Sequence, residues 1–184
     1  MTSRFGPPDS PSAMPLTQTS TPALSFRELL DYTAHETERW ESWLAKQPDV
    51  ILDVPVGEGR TSNVRGLLQH IFAVERRYAD RLQGLPVSAY DVIDASSVAS
   101  LFAGARVSRE RLEKYLATAS DDDLARRLEF QTLTAGTQSA SARKIVAHTL
   151  VHGIRHWAQL ATALRQNGYQ TDWQHDLLMS PALS

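Results

Sequence analysis

The stretch HTLVHGIRHWAQL, residues 148–160, decides which fold and which chemistry we expect of this chain. It places three histidines four residues apart: His148, His152 and His156. Side chains four apart lie on one face of an α-helix, with Cβ atoms about 5–6 Å apart, so two neighbouring imidazoles can bind one metal ion. The outer pair would be about 12 Å apart along the helix axis, which is too far for one ion. The spacing therefore allows two ligand pairs, 148/152 or 152/156, and a third ligand must come from elsewhere.

Among the remaining histidines, His70 is the best candidate for the third ligand. It lies on the shoulder of an apolar stripe that recurs with helical period, so its ring would point toward neighbouring helices. The competing interpretation is a histidine at the edge of the core that is bonded to a backbone carbonyl. His35 is about 180° around its helix from the apolar Phe26 and is expected to face solvent, and His175 is expected to be a surface residue.

Three neutral imidazoles without a thiolate suit Zn(II), Ni(II) or Fe(II) better than Mg(II) or Ca(II). Three protein ligands also leave a coordination position open, and structural zinc sites generally do not. An open position favours a catalytic over a structural role, because the pKa of water or of a thiol bound there is lowered. Protons compete for the same nitrogens, so the affinity for metal is expected to fall as the pH drops through roughly 6.5 to 5.

Composition narrows the class of protein. The 184 residues include 19 basic and 21 acidic ones, so no broad cationic surface indicates nucleic-acid binding. The arginine clusters alternate with acidic residues, as on a solvated helix face. No stretch approaches the roughly 18–20 apolar residues of a membrane span. The chain has no cysteine, so any thiol must come from outside, and the expected compartment is the cytoplasm.

Start and stop signals divide the chain into elements. Residues 1–22 are rich in proline, serine and threonine and are expected to form a flexible tail, and residues 23–184 to form one domain. Ser25 and Glu28 have the spacing of a capping box at the start of the first helix. Four long helices are expected to form an antiparallel bundle, with the second and fourth adjacent. The predicted elements are helices over about 25–47, 62–84, 97–118 and 141–167, an extended stretch or hairpin around 135–136, and a lid or fifth helix around 173–179.

Two segments together resemble the DinB/YfiT-like superfamily of four-helix-bundle metalloproteins: LLQHIFAVERRYADRL, residues 67–82, and the histidine stretch. Their order and spacing also fit, and the resemblance covers residues 24–180. It implies an up-down-down-up-type bundle and a metal site made of His70, His152 and His156, with His148 as a histidine that is not a ligand. The chain departs from the family motif around the last ligand, because Arg155 precedes His156 and Trp157–Ala158 follow it, while Gln159 is kept. The resemblance therefore does not assign the substrate.

The resemblance also implies a function, because members with known activity include thiol-dependent S-transferases and a thiol-dependent maleylpyruvate isomerase. The leading hypothesis is a metal-dependent transferase that adds an external low-molecular-weight thiol to a small electrophile. Arg77, seven residues after His70, is a candidate to hold a carboxylate of the thiol, against the alternative of an exposed surface arginine. Gln159, three after His156, is a candidate to hydrogen-bond a ligand or a metal-bound water. The competing hypotheses are a metal-hydroxide hydrolase and a non-catalytic metal-binding stress-response protein.

Two expectations concern residues outside the metal site. Glu75 lies about 140° around the helix from His70, so it is expected to form a surface or inter-helix ion pair and not to act as a general base. The resemblance and the tryptophan-rich first helix suggest a homodimer through helix faces. The alternative is that Trp40 and Trp43 belong to the core.

Overall fold

Four long helices account for most of the fold, and each begins at a side chain that caps it. The computed structural model describes residues 23–132 and 135–182. Ser25 and Glu28 form the expected reciprocal capping box of the first helix, and Asn63 accepts a hydrogen bond from the Gly66 amide at the start of the second. The helices in chain order are α1 (Phe26–Leu44), α2 (Val64–Leu82), α3 (Val98–Thr118), the short α4 (Asp121–Ala125) and α5 (Ala142–Gln166).

A two-stranded antiparallel sheet precedes the last helix, which confirms the predicted hairpin. Strand β1 (Arg127–Gln131) pairs with β2 (Thr137–Ser141), with Leu128 opposite Ala140. Gly136 in the connection has φ +65°, a conformation that residues with a Cβ rarely adopt. The expected tail over residues 1–22 lies outside the described residues.

Helix contacts place α2 against α5, as a site shared by these two helices requires. Helix α2 packs against α3 and α5, and α1 packs against the same two helices. The up-down-down-up order of the four long helices stays a prediction. None of the helices in residues 23–132 and 135–182 is long and apolar enough to cross a membrane.

The tryptophans of α1 belong to the core of the chain. Trp40 is fully buried and stacks on Trp157 of α5, with ring centroids 5.8 Å apart. Trp43 is also buried, and Trp173 packs edge-on against both α1 tryptophans. The C-terminal segment therefore folds back onto α1, but in the described residues it forms only a 3₁₀ turn at Leu177–Met179 and not a fifth α-helix.

Candidate metal centre

Three histidines from two helices converge on one point. His70 lies near the middle of α2, and His152 and His156 lie one turn apart on α5. The Nε2 atom of His152 is 3.0 Å from that of His70 and 3.1 Å from that of His156. One nitrogen from each ring lies within 4.8 Å of the other two. The structure thus brings together the three residues that the resemblance implied, and their assignment as ligands stays a prediction.

Neighbouring side chains fix which nitrogen of each ring points inward. The Nδ1 atom of His156 lies 2.9 Å from Oε1 of Gln159. An amide oxygen only accepts hydrogen bonds, so Nδ1 carries the proton, and in the neutral ring Nε2 keeps its lone pair. The Nδ1 atom of His70 is likewise 2.9 Å from the hydroxyl of Tyr90. Both contacts leave Nε2 as the atom that faces the other imidazoles, and partners of metal-binding histidines commonly orient the ring in this way.

Burial keeps the three imidazoles neutral. It is the largest cause that lowers the pKa of His152 to about 3 and that of His70 to about 4, followed in both by the charge of His156. The pKa of His156 is also lowered by burial, against the hydrogen bond to Gln159, which raises it. Near neutral pH the rings therefore present lone pairs instead of positive charges.

The donor set fits a divalent transition ion. Tetrahedral Zn(II) with Zn–N bonds of about 2.0–2.1 Å places its ligand nitrogens about 3.3 Å apart, close to the two Nε2 separations observed here. Lone pairs that face each other at this distance repel unless a cation or a shared proton lies between them. In the part of the chain that the structure describes, no carboxylate joins this group. Neutral nitrogen ligands suit Zn(II), Ni(II) or Fe(II), as expected from the sequence.

The other histidines have different surroundings. His148 stands one turn before His152, packs its ring edge-on against Tyr78 at 5.3 Å, and is not part of the three-nitrogen group. The expectation that His175 is a surface residue is wrong, because it stacks on Trp40 at 4.8 Å and its Nδ1 lies 3.1 Å from Oε2 of the buried Glu36. The expectation for His35 is wrong as well, since its ring is half-buried and its Nε2 is shielded from solvent.

A cationic cavity of about 330 Å³ adjoins the three histidines. His70, His152 and His148 line one wall, and Arg77 lines the cavity as well. Among the residues that the structure describes, none of its lining side chains is a carboxylate. The other lining residues are Arg60, Thr61, Val74, Tyr78, Arg81, Tyr90 and Thr132.

The arginines of this cavity are not paired with carboxylates in the described part of the chain. Arg60, Arg77 and Arg81 form no ion pair with a described carboxylate. Arg60 lies over the ring of Tyr90 at 4.3 Å, and Arg77 donates a hydrogen bond to the carbonyl of Ser88. Burial is the first cause that lowers the pKa of Arg81, and the charge of Arg77 is the second. The cavity is therefore suited to an anionic group.

Part of this cavity could have been found in the sequence. Arg81 lies four residues after Arg77 and eleven after His70, so a helical wheel places all three on one face of α2. Arg60 and Tyr90 come from short 3₁₀ turns in the connections before and after α2, respectively, where the sequence shows no amphipathic period that would place a side chain. Glu75 forms the expected inter-helix ion pair, with Arg109 of α3, and is buried.

Comparison with known protein families agrees with this geometry. The DinB family model matches residues 16–180 of the chain. A comparison with curated proteins found no match. The match spans most of the sequence, including both helices of the histidine group, and the chain belongs to the DinB family.

Proposed function

We propose that this protein is a metal-dependent transferase that joins an external low-molecular-weight thiol to a small electrophile. The observation that carries the proposal is that His70 and His152, with Nε2 atoms 3.0 Å apart, form part of the wall of an arginine-rich cavity. A site that serves only the fold would be closed on all sides by protein ligands. Here the two nitrogens face a space of about 330 Å³ that a small molecule can enter.

The three histidines are the proposed ligands of the ion. A divalent transition ion at this point supplies Lewis acidity, which lowers the pKa of a thiol that reaches it. Gln159 and Tyr90 are proposed positioning residues, because they hold the rings of His156 and His70 through their Nδ1 atoms.

The arginines are proposed to bind and orient the anionic part of the thiol. Arg77 is the residue that its spacing from His70 suggested for this role, and Arg60 and Arg81 line the same cavity. A guanidinium fork pairs with a carboxylate through two parallel hydrogen bonds, which fixes the direction in which the thiol points. In the proposed reaction the sulfur–carbon bond forms, the bond from carbon to its leaving group breaks, and the thiol proton departs with the leaving group.

The proposal also includes four statements about the whole chain. Residues 23–184 would form one domain, and its long helices an up-down-down-up antiparallel bundle. A homodimer is proposed on the family resemblance alone, since Trp40 and Trp43 are buried within the chain and offer no surface for it. The absence of cysteine is the reason to place the reaction in the cytoplasm.

A thiol-dependence assay tests the reaction directly. Protein loaded with zinc, nickel or iron is given monobromobimane or a haloaromatic electrophile, with glutathione, bacillithiol or mycothiol in turn. We expect thiol-dependent turnover that is lost in His152→Ala, and a KM for the thiol that rises about tenfold or more in Arg77→Ala. Turnover of esters or amides without thiol would instead indicate a hydrolase. A protein that binds metal tightly and is inert in both assays would indicate a non-catalytic role.

A further inference from the structure

A second cavity, of about 300 Å³, lies against a different face of α5 from the one that carries the metal centre. Thr149, Gly153 and Trp157 of α5 line it, and none of the chain's histidines does. Its buried polar lining residues are Thr33, Glu75 and Thr149, and Arg109 lies beside Glu75. Its apolar lining residues include Ile71, Phe72, Phe102, Ala105 and Leu150.

Gly153 is the first sign that this cavity is kept open. Glycine in the middle of a helix is destabilising relative to alanine, so its presence there calls for a reason. Gly153 does not adopt a positive φ, and a Cβ added to it would meet no atom within 4 Å apart from its chain neighbours and the nearby backbone of its own helix. Neither backbone conformation nor close packing accounts for the glycine. What the missing side chain preserves is open space next to Trp157.

Glu75 is the second and independent sign. The residue is 8% exposed, and its Oε1 accepts no hydrogen bond from the described residues. Arg109 lies 3.0 Å from that oxygen through Nε, but only Oε2 receives a hydrogen bond, from an Nη2 at 3.2 Å. Burial raises the pKa of Glu75, and the charge of Arg109, which acts in the opposite direction, does not offset it. A buried carboxylate whose charge is balanced by one guanidinium group alone, with a hydrogen bond to only one of its oxygens, keeps a desolvation cost that a further cation nearby would lower.

Charges at the mouth indicate the sign of the charge that a ligand of this cavity would carry. Glu38, Glu41 and Glu110 line the cavity beside Arg106, whose Nη1 bonds to Glu41 at 2.8 Å. With Glu75 included, the lining has four carboxylates against two guanidinium groups. The field inside the cavity therefore favours a cation, whereas the arginine-rich cavity beside the metal centre favours an anion.

We propose that this cavity is a second ligand site that binds a small amine with an aromatic or branched apolar body. The ammonium group pairs with the carboxylates of the lining, of which Glu75 is the buried one, and the apolar body packs against Phe72, Phe102 and Trp157. The volume is at the lower end of the range of about 300–1,000 Å³ that is typical of small-molecule sites. The site does not depend on the metal or on the proposed transferase reaction.

Calorimetric or NMR titration of the full chain with 2-phenylethylamine tests the proposal, with 3-phenylpropionate as a probe of similar size and opposite charge. We expect saturable binding of one amine per chain and at least tenfold weaker binding of the acid. Gly153→Leu fills the cavity and should weaken amine binding at least tenfold, while Thr162→Leu, an exposed change on the same helix, should leave it unaltered. His152→Ala should also leave it unaltered, which separates this site from the metal centre.

Glu75→Gln keeps the shape of the side chain and removes its charge, so it decides the question even if Gly153→Leu does not fold. We expect Glu75→Gln to weaken amine binding at least tenfold. The proposal is overturned if the amine does not saturate at millimolar concentration, if the acid binds as well as the amine, or if neither substitution affects binding.

Discussion

The candidate metal centre and the ion pairs between α2 and α3 are two polar regions of the same group of helices, and they are built in opposite ways. In the ion pairs, Asp80 faces Arg111 and Glu75 faces Arg109, so each buried carboxylate has an opposite charge from the chain itself. In the metal centre, three imidazole nitrogens face one another, and no described carboxylate joins them. The comparison suggests that charges which hold helices together are paired internally, whereas the histidine lone pairs are left for a cation from outside.

The largest effect on stability is expected from Asp80→Asn, which breaks an internal pair. Asp80 is fully buried and also accepts a hydrogen bond from the Ser88 amide at 2.9 Å. Removing one partner of a buried pair costs about 3–5 kcal/mol, and we expect about 2–3 kcal/mol because Arg111 is 34% exposed and solvated. Chemical denaturation measures the loss in the free energy of unfolding.

Asp31→Asn is the matched control for that substitution. Asp31 pairs with Arg27 on the exposed surface of α1, where ion pairs contribute about 0–1 kcal/mol. If the two substitutions lowered the free energy of unfolding equally, the buried pair would not be what holds α2 to α3.

A smaller effect is expected from Gln159→Leu, which removes the acceptor for Nδ1–H of His156. Loss of such a partner commonly lowers metal affinity about 10–100-fold, because the ring is no longer held in the metal-facing orientation. Competition with a chromophoric chelator measures the change. Gln159→Glu keeps an acceptor oxygen and should bind nearly as tightly as the native chain, so equal losses in both variants would remove Gln159 from the site.

The pH dependence is the most subtle test of the contrast. Without metal, the folded chain keeps His152 and His70 neutral to a pKa of about 3 and about 4, whereas an unfolded histidine titrates near 6.5. Between these values the unfolded state binds more protons, so the free energy of unfolding should fall as the pH drops below about 6.5 and stay constant above about 7. The measurement is the free energy of unfolding of the metal-free native chain and of His152→Gln between pH 5 and 7, where most carboxylates remain ionised. The native chain should lose more stability than the variant as the pH drops.

The same burial changes the expectation for metal affinity. With the pKa of an unperturbed histidine, the sequence predicted that metal affinity falls between pH 6.5 and 5. Burial lowers the pKa of His70 and His152, so these rings bind few protons in that range. We therefore expect the affinity to decline mainly below about pH 5. A steep loss already at pH 6.5, with nearly three protons displaced per ion, would show that the rings are as accessible to protons as those of an unfolded chain.

The position of a residue could be predicted from the sequence where a helix cap or a helical repeat of apolar residues or histidines determined it. Ser25 and Glu28 located the start of α1, and the spacing of His152 and His156 put both rings on one face of α5. Trp40 could not be assigned from its helix alone, because its burial depends on Trp157 and on the C-terminal segment, both far along the chain.

The errors have the same physical origin. His175 was expected at the surface, because the residues near it in the sequence do not indicate its partner. That partner is Glu36, 139 positions earlier in the chain. Tyr90 begins a short 3₁₀ turn in the connection between α2 and α3, and only the fold brings its hydroxyl to His70. Nothing in the sequence around Gly153 indicates a cavity, and only the structure places this residue on a cavity wall.

Metal content is the most direct measure of the central claim that His70, His152 and His156 form one metal site. Elemental analysis of the purified chain should find about one divalent transition ion per chain, and alanine at any of the three positions should abolish or severely reduce it. His148→Ala is the control, because that ring lies one turn away and outside the three-nitrogen group, and it should retain the ion. A chain that needs His148 but not His156, or that retains no ion at all, would contradict the account.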